Sequence, residues 1–192
     1  MGHSRDEKAA NHERIVDIAA ARFRESGVAA PAIGELMRAA KLTHGGFYRH
    51  FDSRDDLVDE AVARSLRDGA TRMSALAEQG RSAGHALSEL VDGYLSGWHR
   101  DEVAASCAVA TLSADVARGS ERARGTYTRQ VRGYLELIEG LLDEPDPAVR
   151  RRRSLRTLSA LVGAVLMARA VNDPELSDEL LTEVAAAVKD DG

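Results

Sequence analysis

The chain has 192 residues with 4 Pro, 4% aromatic residues and a formal net charge of −5, a length that holds one generous domain or a small module fused to a larger one. Its richness in Ala, Leu, Arg, Glu and Asp favours helices, because these side chains either lose little rotamer freedom there or serve caps and helix ends. A single cysteine, Cys107, excludes an intrachain disulfide, no apolar run reaches spanning length, and residues 1–13 lack the apolar core of a signal peptide; a soluble cytoplasmic protein with no membrane segment is expected.

Charge is unevenly spread: residues 1–54 carry 9 Lys/Arg against 7 Asp/Glu, a net +2 that leaves −7 on the remaining 138. A mildly basic head on an acidic body is compatible with a polyanionic partner despite the overall sign.

Ile15, Ile18, Ala19, Arg22 and Phe23 recur at steps of three and four, which predicts an amphipathic helix over residues 11–26 that Gly27 stops. After Pro31 a short helix presents Ile33, Leu36, Met37 and Ala40 inward. Lys41-Leu42-Thr43 then leads into a second short helix through Phe47, Tyr48 and Phe51. Two short helices joined by about three residues form a helix-turn-helix. Ser53 is a predicted N-cap, with Asp55 and Asp56 favouring the positive end of the next helix. Its stripe of Leu57, Val58, Ala61, Val62, Leu66, Met73 and Leu76 makes it long enough to join head to body.

In the body, Leu87, Leu90, Val91, Tyr94 and Trp98 form one stripe, and Tyr127, Val131, Tyr134, Ile138 and Leu141 form another. Between them, residues 103–118 are apolar on two faces, which predicts a helix in the middle of a bundle. Pro145 and Pro147 break the chain before a helix over 148–171, where small residues around Gly163 sit beside branched ones and permit close helix approach. Ser177 is expected to cap the last helix. The total is about nine helices, all-α.

The string Leu42-Thr43-His44-Gly45-Gly46-Phe47-Tyr48-Arg49-His50-Phe51-Asp52-Ser53-Arg54-Asp55-Asp56-Leu57 resembles the head of TetR family regulators. Their recognition helix commonly reads Val-Ser-Lys-Gly-x-Leu-Tyr-x-His-Phe, followed by x-Ser-Lys-x-x-Leu. The likeness covers residues 11–62 and extends to the body as helix count and order. It implies a helix-turn-helix DNA-binding domain over 1–54 and a ligand-binding and dimerisation domain over 55–192. It further implies a homodimer through the last two helices, a near-palindromic double-stranded operator, and a small-molecule effector that releases the protein from DNA, as in a repressor. No enzyme, metal or cofactor is implied.

The chemistry of the string agrees with DNA binding. Thr43 is expected to cap the recognition helix and leave its amide end facing a phosphate. Gly45 removes a side chain where the backbone approaches the duplex, and Gly46, a departure from the family pattern, removes a common base-reading side chain and leaves part of the specificity to DNA shape. Tyr48, His44, His50 and Arg54 are candidate phosphate contacts, and Arg38 and Arg49 candidate guanine readers. Phe47 and Phe51 should face inward. Two further departures from the family pattern are that Lys41 occupies a position where the turn often has Gly, predicting a left-handed backbone, and that Pro31-Ala32 replaces the usual hydroxyl cap of the second helix.

For the effector, Tyr94, Trp98, Cys107, Thr111, Tyr127, Tyr134 and Leu161 put aromatic surface and a few polar atoms on apolar stripes. The segment around Cys107 is similar to that of an electrophile-sensing TetR subgroup. An alternative regulator would therefore sense oxidants or electrophiles through this thiol, provided His99 or Arg169 supplies positive charge. A helical adaptor that does not bind DNA is the remaining alternative. The basic run from Arg150 to Arg153 reads as a solvated helix start paired with Asp143, Glu144 and Asp146.

Overall fold

A computed structural model describes residues 5–83 and 85–190. Among them lie α-helices and two short 3-10 turns, with no strand. The N-terminal part comprises α1 (Arg5–Ser26), α2 (Ile33–Ala39), a 3-10 turn over His44–Arg49 and α3 (Arg54–Ala83). Next come α4 (Ala86–Tyr94), α5 (Gly97–Asp101), a 3-10 turn over Val103–Ala105, α6 (Ala108–Thr111) and α7 (Ser113–Ala117). Three long helices complete the chain: α8 (Glu121–Glu139), α9 (Pro147–Ala170) and α10 (Pro174–Asp190). No helix among the described residues is long and apolar enough to cross a membrane.

The helix ends follow from local chemistry. Gly27, at φ 79°, closes α1 with its N–H on the Phe23 carbonyl at 2.9 Å, a left-handed C-cap that glycine adopts without steric cost. The α2 end is built the same way on a less suitable residue. Lys41 stands at φ 58°, donating to the Arg38 carbonyl at 2.9 Å while Leu42 donates to Met37 at 2.9 Å. This is the paired-bond C-cap in which glycine is preferred. Ser53 accepts the Asp56 N–H at 3.1 Å and so starts α3 as expected. Asp146 caps α9, with Pro147 in the first turn where its missing N–H costs nothing.

Three expectations fail for identifiable reasons. The helix over 103–118 is broken into a 3-10 turn and two short helices. Here Ser106, Thr111 and Ser113 hydroxyls donate to the Val103, Cys107 and Ala110 carbonyls, local bonds that compete with a continuous helix. The segment is central all the same, with Cys107, Ala108, Val109, Ala110, Leu112 and Val116 buried. Ser177 does not cap α10: Asp173 does, accepting from Glu175 and Leu176, while Ser177 lies buried inside the helix and donates to the Ala168 carbonyl at 2.8 Å. Trp98 leaves the α4 stripe because that helix ends at Tyr94, and the fresh start at Ser96 turns the indole outward to 53% exposure.

One apolar core runs from the head to the far end of the bundle. In the head it gathers Ile15, Phe23, Met37, Phe47, Phe51 and Leu57; in the body, Leu66, Leu90, Leu112, Ile138, Leu161 and Val165. The 30 residues of α3 belong to both. It packs on α1, α4 and α8 and so joins the two parts of the core.

Candidate functional site

The recognition segment rests on a chain of aromatic contacts. Phe47 is fully buried and Phe51 nearly so. Their rings lie 5.4 Å apart, Tyr48 meets Phe47 edge-on at 5.2 Å, and His12 of α1 stacks on Phe51 at 4.5 Å. His12 in turn bonds Glu60 of α3 at 2.7 Å, and Arg14 donates to the Ala40 carbonyl at the end of α2 at 3.1 Å. Arg64 of α3 pairs with both Glu13 and Asp17. Contacts from α1, α2 and α3 thereby hold the region around the segment in place.

What it presents outward is polar and cationic. Tyr48 is 70% exposed, and Thr43, His44, Gly45 and Arg49 are exposed on the same short segment. Arg38, on α2, is exposed too. Among the described residues neither Arg38 nor Arg49 pairs with an acidic side chain. A groove passes between α1 and the recognition segment, lined by Lys8, Lys41, Thr43, Gly46, Tyr48, Arg49 and His50, with Asp52 its one acid. Lys8 and Lys41 were not anticipated as members of this surface. Lys8 precedes the expected start of α1, which begins six residues earlier than residue 11, and Lys41 had drawn notice only for its backbone.

Several candidate residues also make contacts within the fold. The recognition segment is a 3-10 turn rather than an α-helix, and the Thr43 hydroxyl makes no cap bond, although Thr43 occupies the capping position; the bond that closes the turn is Gly46 N–H to the Thr43 carbonyl at 3.0 Å. Arg54 is half-buried and donates to the Val28 and Pro31 carbonyls at 2.7 and 3.3 Å, so it fastens the α1–α2 loop. His44 packs its ring over Gly34, whose missing side chain leaves room for it. His50 is half-buried with Nδ1 unbonded. Burial first, then His12, Lys8 and Arg49, pushes its pKa down. As expected, Ala32 supplies no side-chain cap to α2; Glu35 reaches back to the Ala32 N–H at 3.1 Å.

In the body, four of the seven candidates converge. Tyr94, Trp98, Cys107 and Tyr134 line one cavity of about 20 Å³ together with Arg72 and His99, room for a water and no more. The Cys107 sulfur lies 3.7 Å from the Tyr134 hydroxyl. Tyr127 and Thr111 bond backbone nearby, at the Val109 and Cys107 carbonyls, and Leu161 is plain core with no exposure. The Arg72 guanidinium lies 5.1 Å from the Trp98 ring centroid, a cation–π contact worth about 0.5–1 kcal/mol at an exposed site.

His99 locks the cavity wall. Its Nε2 accepts the Cys107 N–H at 3.0 Å, which fixes the proton on Nδ1, where it donates to the Tyr94 carbonyl at 2.5 Å. Burial pushes its pKa down to about 4, so at neutral pH it is uncharged and supplies no positive charge to the thiol. Arg169 and Arg24 lie within electrostatic reach of Cys107. Arg169 donates to the His99 and Arg100 carbonyls, and Arg24 to the Ala104 carbonyl with Asp68 at 3.6 Å.

Residues 15–61 match the family described as bacterial regulatory proteins, tetR family. The HTH-type transcriptional repressor KstR2 of Rhodococcus jostii is 31% identical over 84 residues, 44% of this chain and 41% of that protein. The A-factor receptor protein of Streptomyces griseus is 38% identical over 79 residues, 41% of this chain and 25% of that one. The chain thus matches less than half the length of these relatives. The fold is similar over nearly its whole length to that of reduced NemR from E. coli (TM-score 0.76, 18% identity, 94% of this chain and 97% of that one). It is equally similar to a TetR-family regulator from Cytophaga hutchinsonii (TM-score 0.77, 15% identity, 99% and 98%). Residues 15–61 thus match the tetR family model, and the described chain shares the all-helical fold of these solved structures.

Proposed function

We propose that this protein is a cytoplasmic transcriptional repressor that binds a near-palindromic operator as a homodimer and is released by a small-molecule effector held in the body. The observation that carries the reading is the two-sided recognition segment. Phe47 and Phe51 anchor it inward, while Tyr48 and Arg49 stand exposed in a groove with Lys8 and Lys41 and one acid, Asp52, and Arg38 is exposed on α2. Arg49 and Arg38 read guanine edges, Tyr48 and the lysines hold phosphates, and Arg54 keeps the loop behind them in place. The head spans residues 1–54 and the effector and dimer domain 55–192.

Dimerisation is supported by the outer face of α9 and α10, where Leu155, Leu166, Met167 and Leu176 are exposed and nothing lies within 4 Å of the position a Gly163 side chain would take. An apolar, small-residue face suits a second copy packed helix on helix. The experiment is operator selection from random duplexes by the purified full chain, followed by gel shifts at several salt concentrations. A two-fold symmetric site with half-sites about one helical turn apart, bound less tightly as salt rises, is expected. Absence of any duplex binding leaves the helical adaptor.

A second reading has Cys107 as an electrophile-sensing thiol, favoured by its contact with Tyr134 and its proximity to Arg24 and Arg169. Against it stand 5% exposure and the neutral His99. Electrophile treatment should then weaken operator binding, and an identical response from Cys107→Ser disposes of the idea.

A further inference from the structure

The cavity beneath Trp98 has an unusual polar balance. Arg72 lines it and no carboxylate does. The Tyr94 hydroxyl, on a residue only 3% exposed, finds no oxygen or nitrogen partner and has only the weakly bonding Cys107 thiol beside it. Behind Tyr94 and His99, the Arg169 Nη1 is likewise buried and unbonded. Arg24, close to Cys107 and Arg72, is offset only by the half-exposed Asp68 at 3.6 Å. Buried donors and cations without acceptors are costly, and one anionic group placed among them would satisfy several at once.

We propose that the effector is a small organic anion with an apolar body, whose carboxylate or equivalent group is taken by the Arg72 guanidinium and the Tyr94 hydroxyl. The inference rests on the reading of the body as an effector site and names the chemical class that site accepts. The present cavity is too small for such a ligand, and on this proposal room comes from side chains at its wall. Trp98 is 53% exposed and lies across Arg72 at the mouth, so its outward swing releases the guanidinium inward. Gly93 and Gly69 lack the side chains that would meet Leu76 at 2.5 Å and the Tyr134 hydroxyl at 2.7 Å. Rotation of Leu76 and Tyr134 therefore opens bare backbone for the apolar body. Because Gly69, Arg72, Met73 and Leu76 all belong to α3, occupancy pushes on the helix that carries the head.

Trp98 is the chain's one tryptophan, which makes it a built-in reporter. The test titrates the full-length protein with matched pairs, octanoate against octanamide and phenylacetate against phenylacetamide, following Trp98 emission and confirming by calorimetry. For at least one pair the carboxylate is expected to bind about tenfold or more tightly than its amide, an advantage that a charge-assisted contact supplies. Arg72→Gln should bring the two members within about twofold of each other. Tyr94→Phe, which changes no charge, should weaken the carboxylate alone by severalfold and gives an independent reading should Arg72→Gln fold poorly. The proposal is overturned if amides bind as well as carboxylates, if no pair perturbs Trp98 or releases heat, or if both variants keep the preference. Carboxylate binding without operator release would uphold the anion site and refute the derepression reading instead, because the gel shift is measured separately.

Discussion

Lowering the pH from about 7 to about 5 should destabilise this protein through His99, and the size of the loss follows from its burial. Its imidazole is 4% exposed, and both ring nitrogens are committed, one accepting the Cys107 N–H and the other donating to the Tyr94 carbonyl. Burial holds its pKa at about 4 against 6.5 in the unfolded chain. A depressed base makes its full contribution above the unfolded value and loses it as pH falls from about 6.5 to about 4, because the unfolded chain takes up a proton that the folded one refuses. At pH 5 this amounts to about 2 kcal/mol, or roughly 4–8 °C in melting temperature for a chain of this size. Protonation also turns Nε2 from acceptor to donor, facing it against the Cys107 N–H. Thermal melts of the protein and of His99→Gln at both pH values and equal concentration measure the effect. The variant, which cannot titrate, should lose about 2 kcal/mol less. Equal losses in the two proteins would refute the reasoning.

Lys41→Gly should raise stability by about 1 kcal/mol, since a left-handed backbone is costly for a residue with a Cβ; chemical denaturation measures it, and a loss would contradict the φ of 58°. Arg54→Ala should cost about 1.5–3 kcal/mol through its two charge-assisted bonds to the α1–α2 loop carbonyls, seen as a lower melting temperature in protein free of DNA. Met167→Glu places a charge on the exposed face of α9, where Met167 is 51% exposed. In sedimentation experiments it should shift a dimer toward monomer while leaving the far-ultraviolet circular dichroism unchanged.

The head was legible in the sequence because its constraints are local. Phe47 and Phe51 follow helical spacing, Gly27 and Ser53 are end signals with one conformational meaning, and the Lys41 strain follows from its place in the turn. The body was legible as long stripes on α8 and α9 and illegible where side chains compete with the backbone. Residues 103–118 have an apolar pattern that fits a helix, yet the chain restarts at Cys107 and again at Leu112, where Ser106, Thr111 and Ser113 bond nearby carbonyls. The cavity's key features arise from contacts across long sequence separation. Arg72 meets Trp98, and Arg169 reaches His99; nothing local in the sequence signals either. The bonds of Arg54 to the Val28 and Pro31 carbonyls were illegible for the same reason, since they span 26 and 23 residues.

The central claim is that the segment beginning at Thr43 reads duplex DNA with side chains its own fold does not need. Fluorescence anisotropy on the selected operator and on a scrambled duplex, with wild type and the double variant Tyr48→Ala/Arg49→Ala, tests it most directly. A guanine contact is worth about 1–3 kcal/mol, so operator affinity should fall by roughly fivefold to 150-fold toward the scrambled-duplex value, with little change in melting temperature because both side chains are exposed. Undiminished sequence-selective affinity in a folded double variant would contradict it.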